Sequence, residues 1–195
     1  MASSIETTST TTTLKNNGTA YISVDTNENV TLAHPLALAQ GGSGAVSVNG
    51  LVQMVYTQTG ALATGTGAIP QDDTIPQITE GTEFMTRTIT PKHASNLLQI
   101  DVVLYCGQSA DTTTQMALFV GTTANALAAV ATDAYSTRQE VPTLRHIVVA
   151  GATSELTFRV RASGSSGTIS FNGQGGGRRF GGVAGSSITI TEYSV

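Results

Sequence analysis

SELTFRVRAS, residues 154–163, alternates without a break: Leu156, Phe158, Val160 and Ala162 fall on one side, Thr157, Arg159 and Arg161 on the other. A period of two puts apolar side chains on one face of a β-strand and polar ones on the opposite face. LLQIDVVLYC (97–106) has the same pattern, with Leu98, Ile100, Val102, Leu104 and Cys106 against Gln99, Asp101 and Tyr105. Further strand-like runs are LVQMVYTQ (51–58), EFMTRTIT (83–90, ended by Pro91), TTTQMALFVG (112–121), TLRHIVVAG (143–151), GTISFNG (167–173) and SSITITEYSV (186–195). Short runs at fairly even spacing with turn residues between them predict an antiparallel β-sandwich or barrel, an eight-stranded jelly roll first among them. ANALAAVATDAY (124–135) is the exception, since its alanines predict a helical turn or loop. No repeat of solenoid period is visible.

Composition agrees. Of 195 residues only 11% are charged, against roughly 25% in an average soluble chain. The 39% hydrophobic content still supplies a core, and the abundant threonine favours a pleated, half-buried surface. With so few charges, solubility is not secured by repulsion, which predicts that much of the surface is covered by a partner chain. The net charge of −4 gives no reason to expect nucleic acid. No run approaches the ~18 apolar residues of a membrane span, and MASSIETTSTTTT lacks the basic start and apolar stretch of a signal peptide.

The first fifty residues differ from the rest. Residues 1–13 hold nine Ser or Thr and one charge, Glu6, too little apolar surface to offset the entropy of ordering alone. TAYISV and NVTLAH, on either side of Asp25, Asn27 and Asn29, predict a β-hairpin that needs something to pack on. A glycine break, Gly41-Gly42-Ser43-Gly44, follows. The expected organisation is a Ser/Thr-rich arm (1–13), an extended segment with hairpin and glycine break (14–50), and a β-sandwich domain (51–195).

ISVDTNENVTLAHPLALAQGGSGA (22–45) resembles a segment of bacteriophage tail-fibre proteins, in which a D-x-N-G-N-V-T-L hairpin leads to P-L, a spacer and G-G-T-G-A. The matching residues are Asp25, Asn27, Asn29, Val30, Thr31, Leu32, Pro35, Leu36 and Gly41-Gly42-Ser43-Gly44-Ala45; Glu28 and Ser43 depart from the pattern. The closing FGGVAGSSITITEY (180–193) is more loosely similar to the tips of small virion fibres. The resemblance implies a homotrimer with an N-terminal virion anchor, an extended trimeric stalk and a jelly-roll-like tip. It implies a virion location after assembly in the host cytoplasm, other virion proteins as partners of the N-terminus through Ser3, Ser4, Ile5 and Glu6, and host-surface adhesion or capsid decoration as the role.

Site residues are few. GSSGTISFNGQGGGRRFGGVAG (164–185) has nine glycines in 22 residues but no phosphate-loop lysine or following helix. It is either a flexible loop or a surface or trimer-axis contact through Arg178, Arg179 and Phe180. Arginine beside an aromatic suits acidic glycan or lipopolysaccharide phosphate. His34, His93 and His146 lack ligand spacing, so no metal is expected, and no cofactor motif is present. Asp72-Asp73 lies between prolines and predicts a turn rather than a catalytic pair, and Cys106 on the apolar phase predicts a buried thiol. Loops 59–82, 107–111, 122–142 and 164–185 are the expected contact surface. The expectation is a non-enzymatic protein that does not insert into membranes. The competing alternative is a jelly-roll carbohydrate-active enzyme, which would release reducing sugar from host polysaccharide. A secreted adhesin or cytokine-like trimer would want a secretion signal.

Overall fold

The 154–163 alternation becomes β14 (Leu156–Gly164), a central strand whose inward residues Phe158, Val160 and Ala162 are fully buried. In the computed structural model the described residues are 50–195 and, within 1–49, the backbone of four strands. The chain divides into two compact units, Met1–Val48 and Asn49–Val195. In the first, β1 (Ser3–Thr7), β2 (Thr11–Asn16), β3 (Thr19–Asp25) and β4 (Val30–Leu32) form an antiparallel meander in chain order. The hairpin expected over 19–34 appears as β3 paired with β4, Ile22 opposite Leu32 and Val24 opposite Val30. The Ser/Thr tract, which composition leaves without a core of its own, joins the meander through β1 and β2. Its β-branched threonines suit a pleated backbone once a neighbouring strand is present. Asn27, Asn29, His34, Pro35 and the 41–45 glycine break lie outside the described residues.

The second unit is a jelly roll. β5 (Leu51–Thr59), β8 (Leu97–Val103), β13 (Thr143–Val149) and β18 (Ser186–Tyr193) form one antiparallel sheet in the order β13-β8-β18-β5. β7 (Thr82–Ile89), β10 (Thr112–Val120), β11 (Ala128–Ala134) and β14 form the other, in the order β11-β10-β14-β7. The connections alternate between sheets except at the β10–β11 hairpin, the winding of an eight-stranded jelly roll. Leu98, Ile100, Val102, Ile188 and Ile190 from the first sheet meet Met116, Leu118, Phe158 and Val160 from the second in one core. Each such side chain contributes about 1.5–3 kcal/mol by leaving water.

Three features depart from the pattern read in the sequence. The alanine-rich segment is not helical: residues 128–134 form β11, an edge strand paired to β10 from Leu118↔Ala128 to Thr112↔Ala134. Its burial alternates along the strand, so pairing to a ready partner overrides the helix propensity of alanine. Residues 97–106 break at Leu104–Tyr105, where Leu104 N–H donates to Pro142 O and Tyr105 N–H to Ser186 Oγ. Cys106 therefore starts β9 (Cys106–Gln108), which joins β6 (Ala63–Gly65), β12 (Gln139–Glu140) and β15 (Ile169–Phe171) in a small third sheet, order β12-β9-β15-β6. Finally, residues 66–81 strap the outer face of the second sheet. Ile69 packs on Ala117 and Phe119, its N–H donating to Ser163 Oγ at 3.0 Å. Arg161 clasps the strap through Gly81 O and Glu80 O, so this arginine, on the solvent face by periodicity, is structural.

Candidate binding surface at the far end of the sandwich

β5 fixes a direction. The chain comes in at Gly50, whose N–H donates to Ser194 Oγ beside the C-terminus, and reaches Thr59 nine residues later, about 30 Å away. Thr59 pairs with Ser186, and Val103 with Ser187 and Thr143, so β5 and β8 end where β13 and β18 begin. The third sheet and the loops around 60–65, 104–111, 135–142 and 164–185 gather at this far end. Of the loops expected to form a contact surface, 122–127 lies at the opposite end: it follows Val120, paired with Phe158 near the start of β14. The 66–81 part of loop 59–82 is the strap.

The far-end loops are braced by side chains that composition alone does not reveal. β16 (Gly173–Gln174) and β17 (Gly177–Arg178) make a hairpin closed by Gly175 and Gly176, whose positive φ of 58° and 72° fit a two-residue turn. Asn172, at φ 57°, anchors its base: Nδ2 donates to Thr59 O at 2.8 Å and Ala61 O at 3.0 Å, and Oδ1 accepts from Ser186 Oγ at 2.7 Å. Gln174 Nε2 donates to Gln108 O and to Ser136 O, tying the hairpin to β9 and to the 135–138 loop. Ser136 in turn gives its backbone N–H and hydroxyl to Asp111 Oδ1, which holds that carboxyl below its ordinary range. A Cβ at Gly60 would lie 1.9 Å from Gly182 O, so the 180–185 segment rests directly on the end of β5. The nine-glycine stretch is thus largely pinned rather than loose.

On this base stand Arg178, Arg179, Phe180 (72% exposed) and Val183 (88% exposed). Phe180 adopts φ 47°, left-handed backbone that a bulky residue seldom takes and that costs about 1–3 kcal/mol. The turn is held by Gly182 N–H to Arg179 O and Val183 N–H to Phe180 O. A second aromatic and cation meet at the same end, the Arg138 guanidinium lying 4.9 Å from the Tyr135 ring centroid. Tyr135 and Arg138 were not singled out in the sequence; Tyr135 is the last residue of the segment read as helix, Arg138 lies three residues beyond it, and no motif marks them. Exposed guanidinium forks beside exposed rings can grip phosphate or carboxylate groups and stack on sugar faces.

The other candidate residues are placed apart. Asp72 closes a local turn, accepting from Thr74 N–H at 2.8 Å and from its hydroxyl, as the sequence predicts. His93 is exposed beside Ser95 Oγ at 3.0 Å, and His146 sits half-buried on β13. Cys106 is buried, and burial, with Glu140 nearby, pushes its thiol up to about 12. Ser3, Ser4, Ile5 and Glu6 share β1; their side chains lie outside the described residues. No helix among the described residues is long and apolar enough to cross a membrane.

No protein-family model matches the chain. No curated protein sequence matches it either. Solved structures with a similar course include the Eiger TNF of S. frugiperda, at 16% identity and TM-score 0.42, covering 72% of this chain and 93% of that one. The enzymatically active domain of bacteriophage CBA120 tailspike protein 4 is similar at 17% identity and TM-score 0.27, over 63% of this chain and 19% of that one. Infectious bursal disease virus VP2 is similar at 12% identity and TM-score 0.32, over 95% of this chain and 47% of that one.

Proposed function

We propose that the chain is a structural fibre protein of a bacteriophage virion, on tail or head, which attaches by its N-terminus and presents the sandwich for adhesion to the host surface. The observation that carries this is the polarity of the second unit. The chain comes in at Gly50, and the rigidly braced loops bearing Arg178, Arg179 and Phe180 stand at the other end. A tip held from one end meets its ligand with the other. The tail-fibre-like segment over 22–45 supports the same reading, as does the low charge, which suits a chain that assembles with copies of itself into a homotrimer.

The ligand class is an acidic surface glycan or lipopolysaccharide, bound without chemical change. Two far-end carboxylates are engaged structurally: Asp111 by Ser136, and Glu140 by the Thr114 hydroxyl at 2.9 Å and Tyr135 N–H. The test is binding of the full chain to immobilised lipopolysaccharide from a Gram-negative host. Arg178→Ala with Arg179→Ala is expected to weaken binding by roughly tenfold or more, equivalent to about 1.4 kcal/mol. Equal binding by wild type and double variant, or release of reducing sugar from the polysaccharide, would overturn the adhesion role.

A further inference from the structure

The outer face of the β13-β8-β18-β5 sheet has no cover from the rest of the second unit, yet large apolar side chains stand on both of its edge strands. Leu51, Met54 and Tyr56 of β5 are 65%, 56% and 60% exposed, and Ile147 and Val149 of β13 are each 54% exposed. The register aligns them in rows across four strands. Leu51 stands in line with Tyr193, Leu97 and Val149, and Met54 with Thr191, Gln99 and Ile147. Four strands at about 4.8 Å and seven residues at about 3.3 Å make a face roughly 19 Å by 23 Å. With side-chain relief it supplies much of the roughly 800 Å² that each partner gives to a standard interface. Monomeric proteins seldom leave such a face in water.

We infer that this face packs against a second copy of this chain. This rests on the homotrimeric reading above and names the surface that serves it. Charge selects the occupant. The face bears two charged residues, Asp101 and Arg145, and they neutralise one another: Arg145 Nε donates to Asp101 Oδ1, while Gln99 Nε2 holds Oδ2 at 2.7 Å. An acidic glycan would find no free cation there. Two copies, each carrying −4 overall, meet on this face without repulsion between like charges.

The experiment uses the full chain with a single added thiol, at Met54→Cys, Ile147→Cys or, as an exposed control, Phe180→Cys. Cys106 is fully buried and leaves the background silent. Maleimide labelling is followed under native conditions, and light scattering after size exclusion gives the mass. The expected result is about three times the 20.0 kDa chain mass, with the thiols at 54 and 147 at least about tenfold slower than that at 180, as burial blocks a thiol. Adding Ile147→Asp to the Met54→Cys chain should restore the fast rate with the circular dichroism of the native fold; should that variant not fold, Tyr56→Glu replaces it. Three equal rates in a particle of three chains would overturn the inference and leave the trimer standing. A single-chain mass would overturn both.

Discussion

Gly107 offers a sharp test of how the far end is held. It lies in β9 beside Gln174, and a Cβ built on it would fall 1.6 Å from Gln174 Oε1 and 2.6 Å from its Cδ. Its backbone is not left-handed, so alanine meets a steric obstacle alone: chiefly this side chain, and Gly173 O at 3.0 Å. Gln174 cannot yield cheaply, because its Nε2 donates both to Gln108 O at 2.9 Å and to Ser136 O and the residue is almost wholly buried. Gly107→Ala therefore breaks two hydrogen bonds worth about 1 kcal/mol each. It also adds an overpacking cost of about 1–3 kcal/mol, for a total of about 3–5 kcal/mol. Gln174→Ala removes the same two bonds but vacates the space, and should cost about 2–3 kcal/mol. In the double variant the new methyl group is left with only the tight contact to Gly173 O, so the loss should exceed that of Gln174→Ala alone by about 1 kcal/mol. The coupling between the two substitutions is then about 2–4 kcal/mol. Urea unfolding of the four chains, followed by far-ultraviolet circular dichroism, measures it. Additive losses would show that Gln174 does not occupy the space over Gly107, and the brace between hairpin, β9 and the 135–138 loop would fall with it.

Other expectations concern both ends of the sandwich. Glu192 is fully buried, which alone would raise its pKa. Hydrogen bonds from Gln53, Asn96 and the backbone N–H groups of Lys92 and His93 outweigh burial and hold the carboxyl below its ordinary value. A lowered folded pKa means stability that is complete above the ordinary glutamate range near about 4.3 and is lost as pH falls below it, an acid limb readable by urea titrations from pH 6 to 3. Glu192→Gln would turn an N–H₂ toward these donors, cost about 2–3 kcal/mol, and flatten that limb. Phe180→Gly relieves left-handed strain without touching the core. It should leave the thermal midpoint unchanged or raised, equivalent to up to about 1 kcal/mol, while weakening adhesion to lipopolysaccharide. A lowered midpoint would mean that Phe180 packs rather than presents itself.

Period-two patterning exposed most of the sheet architecture, because burial on one face writes itself directly into strands such as β14 and β8. It failed where another force decided the outcome. β11 is carried by pairing to β10 and its alanines say helix. The run 97–106 hides the break at Leu104, which depends on Pro142 and Ser186, residues 38 and 82 positions away. In the glycine cluster, Arg178, Arg179 and Phe180 stood out by residue type, whereas the bonds of Asn172 and Gln174 that pin the loop span 38 to 113 residues and leave no local trace. The apolar face of β5 and β13 was written in the sequence only as an unusually low charge; which residues compose it depends on the register of four strands.

Imaging the assembled particle with a gold label on the thiol of Phe180→Cys tests directly whether the sandwich is held by one end and meets the host with the other. The label is expected farther from the particle than the point where the chain comes in at Gly50, by about 30 Å, the length of β5. Gold lying against the particle surface, or particles that never take up the chain, would contradict it.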